Sequence, residues 1–223
     1  MSVQTEIAPT PAASVASPEV GQQVVLHGIS WETYEQLLSD FQDSHAAHFT
    51  YDRGVLEIMV LSFKHETVNR TLAQLVSVIA EEMQVDIINA GSTTFKRRDL
   101  ARGFEPDSCF YIQNEGRISG KAEIDLDTDP PPDLIIEIDI TSPSLNKFPV
   151  YAHIGVPEVW RYDGARVTFF VLADEGYEAT QESRALPALT SRVATDFLEA
   201  GRQLKSTVWS RQLRDWARKA TQT

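Results

Sequence analysis

The alternation of apolar and polar residues along the chain predicts helices and strands in mixed order. Apolar side chains recur at helical spacing from His65 to Gln84, and the segments ATDFLEAG and TVWSRQLRDWARKA near the C-terminus are also predicted to be helices. Further helices are predicted after Ser30, a favourable N-cap residue, and from Pro149 to about Ile154. Strands are predicted at QVVLHG, VDIINA, STTFK and DSCFYIQ, and in two hairpins, HFTYDRGVLEIMV and PEVWRYDGARVTFFVLA. This order predicts a mixed α/β or α+β fold with helices on at least one side of its sheet.

The segment PPPDLIIEIDITSPS, residues 130–144, is predicted to contain a strand that carries two charges in an apolar run. Successive side chains of a strand point to opposite faces, so Leu134 and Ile136 share one face. Glu137 and Asp139 then lie together on the other face. Either that face is exposed to water, or the two carboxylates serve a function.

The length of 223 residues favours a single domain, here residues 23–223, with helices at its C-terminal end. Residues 1–22 are rich in Ala, Pro and Ser and lack the basic and apolar regions of a signal peptide, so we expect a disordered tail. No apolar run is long enough to predict a membrane span. Cys109 is the single cysteine, which excludes an intrachain disulfide and a Cys-based zinc site. A reducing cytoplasm is the simplest location.

The net charge lowers the expectation of nucleic-acid binding, although local segments are basic. The chain has 32 acidic and 20 basic residues and a net charge of −12, which repels nucleic acid in bulk. Lys96, Arg97, Arg98 and Arg102 form a basic segment that could contact DNA, and the C-terminal end is basic as well. Solvated surface without a ligand is the alternative interpretation of both segments.

A second acidic element precedes the aromatic strand-like run DSCFYIQ. It contains Glu105 and Asp107, and Asp107 lies 30 positions before Glu137. Two neighbouring strands could bring Asp107 and Glu137 to one place, where like charges are costly unless they are neutralised. A hard divalent cation such as Mg²⁺ commonly neutralises such carboxylates.

These residues belong to a longer ordered pattern. EPD precedes a strand, PDLIIEIDITSPS follows, Lys147 and Tyr151 stand at a Lys-x-x-x-Tyr spacing, and GVPEVW comes next. The pattern resembles the Uma-type putative restriction endonucleases of the PD-(D/E)xK nuclease superfamily. KHETVNRTL agrees, because that family has a His, here His65, at the head of its first core helix. The resemblance extends from about Val24 to about Ala200.

The resemblance implies a restriction-endonuclease-like core, a central mixed β-sheet flanked by helices. Asp107 and Glu137 would match the two acidic residues of the superfamily motif. Together with the backbone carbonyl of Ile138, they would bind Mg²⁺ or Mn²⁺.

The motif lysine is expected two residues after Glu137, where this chain has Asp139. Lys147 could swing its long side chain back and supply the positive charge; a solvated loop lysine is the alternative. Asp139 and Glu66 are supplementary candidates for metal binding, although Glu66 could instead stabilise the start of its helix. His65 is interpreted as a structural or hydrogen-bonding residue rather than a metal ligand.

The resemblance therefore implies a soluble, cytoplasmic, Mg²⁺-dependent endonuclease that hydrolyses DNA and uses Asp107, Glu137 and Lys147. A homodimer is one option for its assembly. The alternative is a catalytically degenerate nuclease fold that serves protein or nucleic-acid interaction. Two other classes fit less well. A haloacid dehalogenase-like phosphatase would need Asp where this chain has Glu137, and a two-carboxylate glycosidase predicts neither a metal nor a lysine at this spacing.

Overall fold

The computed structural model describes residues 22–41, 47–140 and 145–220. The helices in these ranges are α1 (Trp31–Asp40), α2 (Phe63–Glu82), α3 (Glu115–Ile118), α4 (Phe148–Ile154), α5 (Ser191–Gln203) and α6 (Ser206–Ala220). The strands are β1 (Gln22–His27), β2 (Ala47–Asp52), β3 (Val55–Val60), β4 (Ile88–Gly91), β5 (Phe95–Arg97), β6 (Arg102–Phe104), β7 (Ser108–Tyr111), β8 (Leu134–Ile138), β9 (Glu158–Tyr162), β10 (Val167–Ala173) and β11 (Gly176–Thr180). Apart from Gln22, the predicted tail lies outside the described residues. None of the described helices has the length and apolarity to cross a membrane.

The strands form two sheets. The first has the order β1-β3-β2-β6-β5, with every neighbouring pair antiparallel. The second has the order β11-β10-β9-β8-β7-β4 and is mixed, because β8 and β9 are parallel. Parallel neighbours need a crossover connection, and α4 lies within the one between β8 and β9. The predicted mixed fold, with a central mixed β-sheet flanked by helices, is confirmed.

Helices cover both faces of β8. Leu134, Ile136 and Ile138 belong to the largest apolar core, which contains buried residues of α2, α5 and α6. Ile135 packs on the opposite face, in a core that includes buried residues of α4. All five residues of β8 are buried, so the explanation that Glu137 faces water is wrong. A buried carboxylate needs compensating partners, because its desolvation is costly.

Local signals account for the element boundaries near the site. The Ser30 and Ser62 hydroxyls accept the backbone N–H three residues on, at 3.1 and 3.2 Å, and so cap α1 and α2. Pro149 stands in the first turn of α4, and Gly155 ends that helix with φ 89°. In the β2–β3 turn, Gly54 has φ 94°, a left-handed conformation that suits glycine.

Some elements differ from the prediction. Helix α2 begins at Phe63, two residues before the predicted start, and neither β6 nor β11 was predicted. Strand β6 matters for the site because it pairs with both β2 and β5 in the first sheet. The chain then enters β7 of the second sheet after three residues, 105–107. Asp107 therefore lies at the junction of the two sheets.

Candidate functional site

The structure places Asp107 and Glu137 on neighbouring strands. Asp107 directly precedes β7, Glu137 lies in β8, and the two strands pair with Ser108 opposite Ile136. Oδ2 of Asp107 accepts the backbone N–H of Ile138 at 2.7 Å. The Asp107 carboxylate is thus held against the backbone of the strand that carries Glu137.

Two imidazoles surround Asp107, which is buried. Nδ1 of His48 lies 3.3 Å from Oδ1, and Nε2 of His65 lies 3.1 Å from Oδ2. Burial favours the neutral acid, but the two imidazoles outweigh it and hold the pKa of Asp107 below its ordinary value. Burial lowers the pKa of His65, yet contact with the Asp107 carboxylate raises it overall. Both shifts favour an ionised Asp107 beside a protonated His65.

Helix α2 is fixed to the start of β7 through Asn69. Its Nδ2 donates to the backbone carbonyl of Asp107 at 2.8 Å, and its Oδ1 accepts the Ser108 hydroxyl at 2.8 Å. Asn69 follows His65 by four residues, so both side chains lie on one face of the helix. This face positions the backbone and the side chain of Asp107 together.

Glu137 has a partner for each carboxylate oxygen. The Tyr151 hydroxyl donates to Oε1 at 2.8 Å, and Nζ of Lys147 donates to Oε2 at 3.0 Å. Burial raises the pKa of Glu137, and nearby Asp107 adds to the increase, while Lys147 opposes it. Burial also raises the pKa of Tyr151 well above its ordinary value, which keeps this hydroxyl a hydrogen-bond donor.

Lys147 lies between two acidic side chains from different sheets. Its Nζ is 3.8 Å from Oε1 of Glu57 in β3, in addition to its contact with Glu137. The other Glu57 oxygen accepts the backbone N–H of Leu145 at 3.2 Å. Burial lowers the pKa of Lys147, but Glu137, Asp107 and Glu57 outweigh burial and raise it. Lys147 is therefore a charged, largely buried residue rather than a solvated loop lysine.

Glu137, Lys147, Tyr151 and Glu57 line a cleft of about 520 Å³, whereas Asp107 and its two imidazoles are buried behind it and are not part of its lining. Asp139 also lines it and accepts two hydrogen bonds from Arg161, one of them from Nε at 3.0 Å. The lining consists of Gln23, Glu57, Met59, Glu137, Ile138, Asp139, Leu145, Asn146, Lys147, Phe148, Tyr151 and Arg161. The cleft thus combines three carboxylates with two cationic side chains.

Glu66 is not placed beside Asp107 and Glu137. Its carboxylate pairs with Arg70, one turn further along α2, with Oε1 2.6 Å from Nε of Arg70. The contacts of Asp107 and Glu137 that the structure shows do not include Glu66. Its predicted role as a supplementary metal ligand gains no support from this position.

The predicted basic segment is largely neutralised by acidic neighbours. Lys96 pairs with Glu35, and Arg98 pairs with Glu32 and Glu35 of α1. The remaining pairs are Arg97 with Asp99 and Asp127, and Arg102 with Asp52. Arg102 is also buried, so its position gives no support to the predicted DNA contact. For all four residues, DNA contact stays a prediction.

Sequence reasoning missed His48, Glu57 and Arg161 as parts of the site. Glu57 lies within the apolar strand VLEIMV, which is the same kind of signal that drew attention to Glu137. His48 and Arg161 also lie inside strands with buried neighbours. A charged or imidazole side chain within a buried strand was therefore the available signal in all three cases.

Comparison with known proteins gives one family. A family model described as Uma2, putative restriction endonuclease, matches residues 31–206, a range that contains Asp107, Glu137 and Lys147. One similar solved structure is a putative nuclease belonging to DUF820 from Anabaena variabilis ATCC 29413. It is 17% identical, with a TM-score of 0.44, and the match covers 67% of this chain and 90% of that chain. No curated protein matches the chain.

Proposed function

The chain belongs to the Uma2 family of putative restriction endonucleases, and from that premise we propose that it is a metal-dependent nuclease that hydrolyses the phosphodiester bonds of DNA. The observation that supports this proposal most is the contact between Nζ of Lys147 and Oε2 of Glu137, at 3.0 Å. This contact places the buried ammonium of Lys147 beside the Glu137 carboxylate in β8. Strand β8 pairs with β7, which Asp107 directly precedes. Two acids and one lysine are the groups that the resemblance requires.

The donor set fits a hard divalent cation. Carboxylate and backbone carbonyl oxygens are the ligands that Mg²⁺ and Mn²⁺ prefer, and Asp107, Glu137 and Ile138 would provide them. Oδ1 of Asp107 is buried, and its polar neighbour is Nδ1 of His48 at 3.3 Å, which a cation at this oxygen would have to displace or share. Those residues contain no group of three or more His, Cys, Asp and Glu side chains suited to a metal, and the proposed set needs only two carboxylates. When bound, the cation would polarise the phosphate and lower the pKa of a coordinated water.

The side chains have separate roles in this proposal. Lys147 keeps its proton, because the surrounding carboxylates raise its pKa, so it acts as a fixed positive charge and not as a base. A preorganised positive charge stabilises the negative charge that develops on the phosphate in the transition state. Tyr151 orients the Glu137 carboxylate, and His48 and His65 keep Asp107 ionised.

A second candidate is a degenerate nuclease fold that binds a partner without catalysis. It is favoured by the hydrogen bonds on Glu137, because both of its oxygens already have protein donors. A cation would have to share or replace one of these donors. Both candidate functions use the same cleft for binding. They differ in whether the protein hydrolyses phosphodiester bonds of DNA.

Incubation of purified protein with supercoiled plasmid and Mg²⁺ or Mn²⁺ tests this proposal. We expect wild type to produce nicked and then linear DNA, and the Glu137→Ala variant purified in the same way to leave the plasmid supercoiled. Chelation by EDTA should stop the reaction. Cleavage that persists in Glu137→Ala would indicate a contaminating nuclease, and intact plasmid with wild type would favour the binding module.

A further inference from the structure

Arg161 is the more accessible of the two cationic side chains that line the cleft. Lys147 is 15% exposed and lies between Glu137 and Glu57, whereas 37% of the Arg161 side chain is exposed. A phosphate that enters the cleft also meets the carboxylate of Asp139. In a protein with a net charge of −12, an accessible cation in the cleft locally favours an anionic phosphate.

The strand register sets Arg161 beside Glu137. Strands β8 and β9 are parallel, and Glu137 is the register partner of Arg161. Partners on adjacent strands project from the same face of a sheet, about 4.8 Å apart. Asp139 is two residues beyond Glu137 and shares that face. Arg161 therefore projects into the same cleft as Glu137, with its guanidinium held at Asp139.

The hydrogen bonds of Arg161 leave part of its guanidinium open. Nε and Nη2 both donate to a single oxygen of Asp139, Oδ2. Within the described residues, the hydrogen bonds of the Arg161 side chain are these two, and neither uses Nη1. An arginine that is already ordered by a carboxylate loses little further side-chain entropy when a second anion binds. Planar N–H donors also match the oxygens of a phosphate.

Building on the proposed nuclease function, we propose that Arg161 is a substrate-binding residue that contacts a backbone phosphate of DNA in the cleft. Arg161 differs from Lys96 and Arg98 in its position, because it lines the cleft together with Glu137, whereas Lys96 and Arg98 pair with acidic side chains of α1 and do not line the cleft. Phosphate contacts of this kind contribute affinity without sequence preference. The number of such contacts can be measured, since each one adds about 0.9 to the slope of log K against log salt concentration for duplex DNA.

The test is binding of a fluorescein-labelled DNA duplex, followed by anisotropy over a series of NaCl concentrations in Ca²⁺ buffer. We expect Arg161→Ala to lower affinity by roughly tenfold or more and to reduce the slope by about 0.9. Arg161→Lys should keep the slope, because it keeps the charge. Arg161→Gln retains an N–H donor for Asp139 while it removes the charge, so it serves if Arg161→Ala folds poorly.

The matched control is Arg166→Ala. Arg166 lies in the turn after β9, is 75% exposed, pairs with Asp163 and is not among the cleft residues. Its removal should leave the slope unchanged. If wild type binds the duplex and both Arg161→Ala and Arg161→Gln show the same slope as wild type, the proposed role of Arg161 is refuted. The nuclease proposal is then unaffected. A wild type that binds no duplex at low salt overturns both.

Discussion

Replacement of Lys147 by Met separates the charge of this residue from its packing. The Lys147 side chain is 15% exposed, and its Nζ lies 3.0 Å from Glu137 and 3.8 Å from Glu57. Met has a similar length and no charge, so the variant leaves two buried carboxylates without their shared cation. Loss of one partner of a buried ion pair costs about 3–5 kcal/mol of unfolding free energy. For a chain of this size, the melting temperature should fall by roughly 6–20 °C.

The loss of stability should depend on pH and on metal. Lys147 opposes the increase that burial causes in the pKa of Glu137, so this pKa rises further in Lys147→Met. The folded variant then holds the Glu137 proton more tightly than the unfolded chain does, and its stability decreases as pH rises. Mg²⁺ brings positive charge to the same carboxylates, so stabilisation by the metal should be retained. Cleavage should fall by about 10²–10³-fold, as expected when one preorganised stabilising group is removed.

Differential scanning calorimetry at several pH values, with and without Mg²⁺, and a plasmid cleavage assay measure these effects. Lys121→Met is the control, because Lys121 is more exposed and pairs with Asp129 in a connecting segment. The control should lose at most about 1 kcal/mol and keep its activity. If Lys147→Met melts and cleaves as wild type does, both the buried ion pair and the catalytic role of Lys147 are refuted.

Four further predictions concern metal binding, packing and pH dependence. Mg²⁺ or Mn²⁺ at a hundredfold excess over Kd should stabilise wild type by about 2.7 kcal/mol, and Asp107→Asn should abolish this effect in thermal melts. Glu158 is buried and accepts the indole N–H of Trp160 at 2.7 Å and a backbone N–H, so Glu158→Ala should cost about 2–4 kcal/mol in urea denaturation. Burial raises the pKa of Glu158, so wild-type stability should decrease relative to Glu158→Gln as pH rises above the ordinary Glu pKa. In Gly103→Ala the added Cβ would lie 2.4 Å from the Tyr34 hydroxyl, and the same denaturation assay should show a loss of about 1–3 kcal/mol.

Each of these predictions has a contrary result. Equal pH dependence of stability in wild type and Glu158→Gln would contradict the raised pKa of Glu158. Equal metal stabilisation of wild type and Asp107→Asn would place the cation elsewhere. Unchanged stability in Glu158→Ala would mean that water reaches the two N–H donors. A Gly103→Ala variant as stable as wild type would show that Tyr34 can move, contrary to its complete burial.

Much of the fold could be predicted because its signals are local. The period-two alternation identified β8 and its two faces, and Ser30 and Pro149 marked the starts of helices. The resemblance supplied the neighbouring positions of Asp107 and Glu137, and the contact of Lys147 with Glu137 agrees with the interpretation that its side chain turns back. These features depend on short stretches of chain or on a known order of motifs.

The remaining features depend on contacts between distant segments. Glu57 meets Leu145 across 88 positions of sequence, and only the arrangement of the two sheets brings them together. Arg161 reaches the site through the parallel register of β8 and β9, which no local pattern specifies. The sequence does not show that acidic residues neutralise the basic segment, because its partners Glu32 and Glu35 come from a separate helix.

In the proposed mechanism, Asp107 and Glu137 act together on one phosphodiester bond. The most direct measurement is the single-turnover rate at which excess protein with Mg²⁺ or Mn²⁺ cleaves a labelled DNA duplex, for wild type, Asp107→Asn, Glu137→Gln and the double variant. Residues that act as a unit give non-additive losses, so each single variant should lose at least about 10²-fold and the double variant little more. Additive losses, or a wild type that does not cleave the duplex, would refute joint action of Asp107 and Glu137.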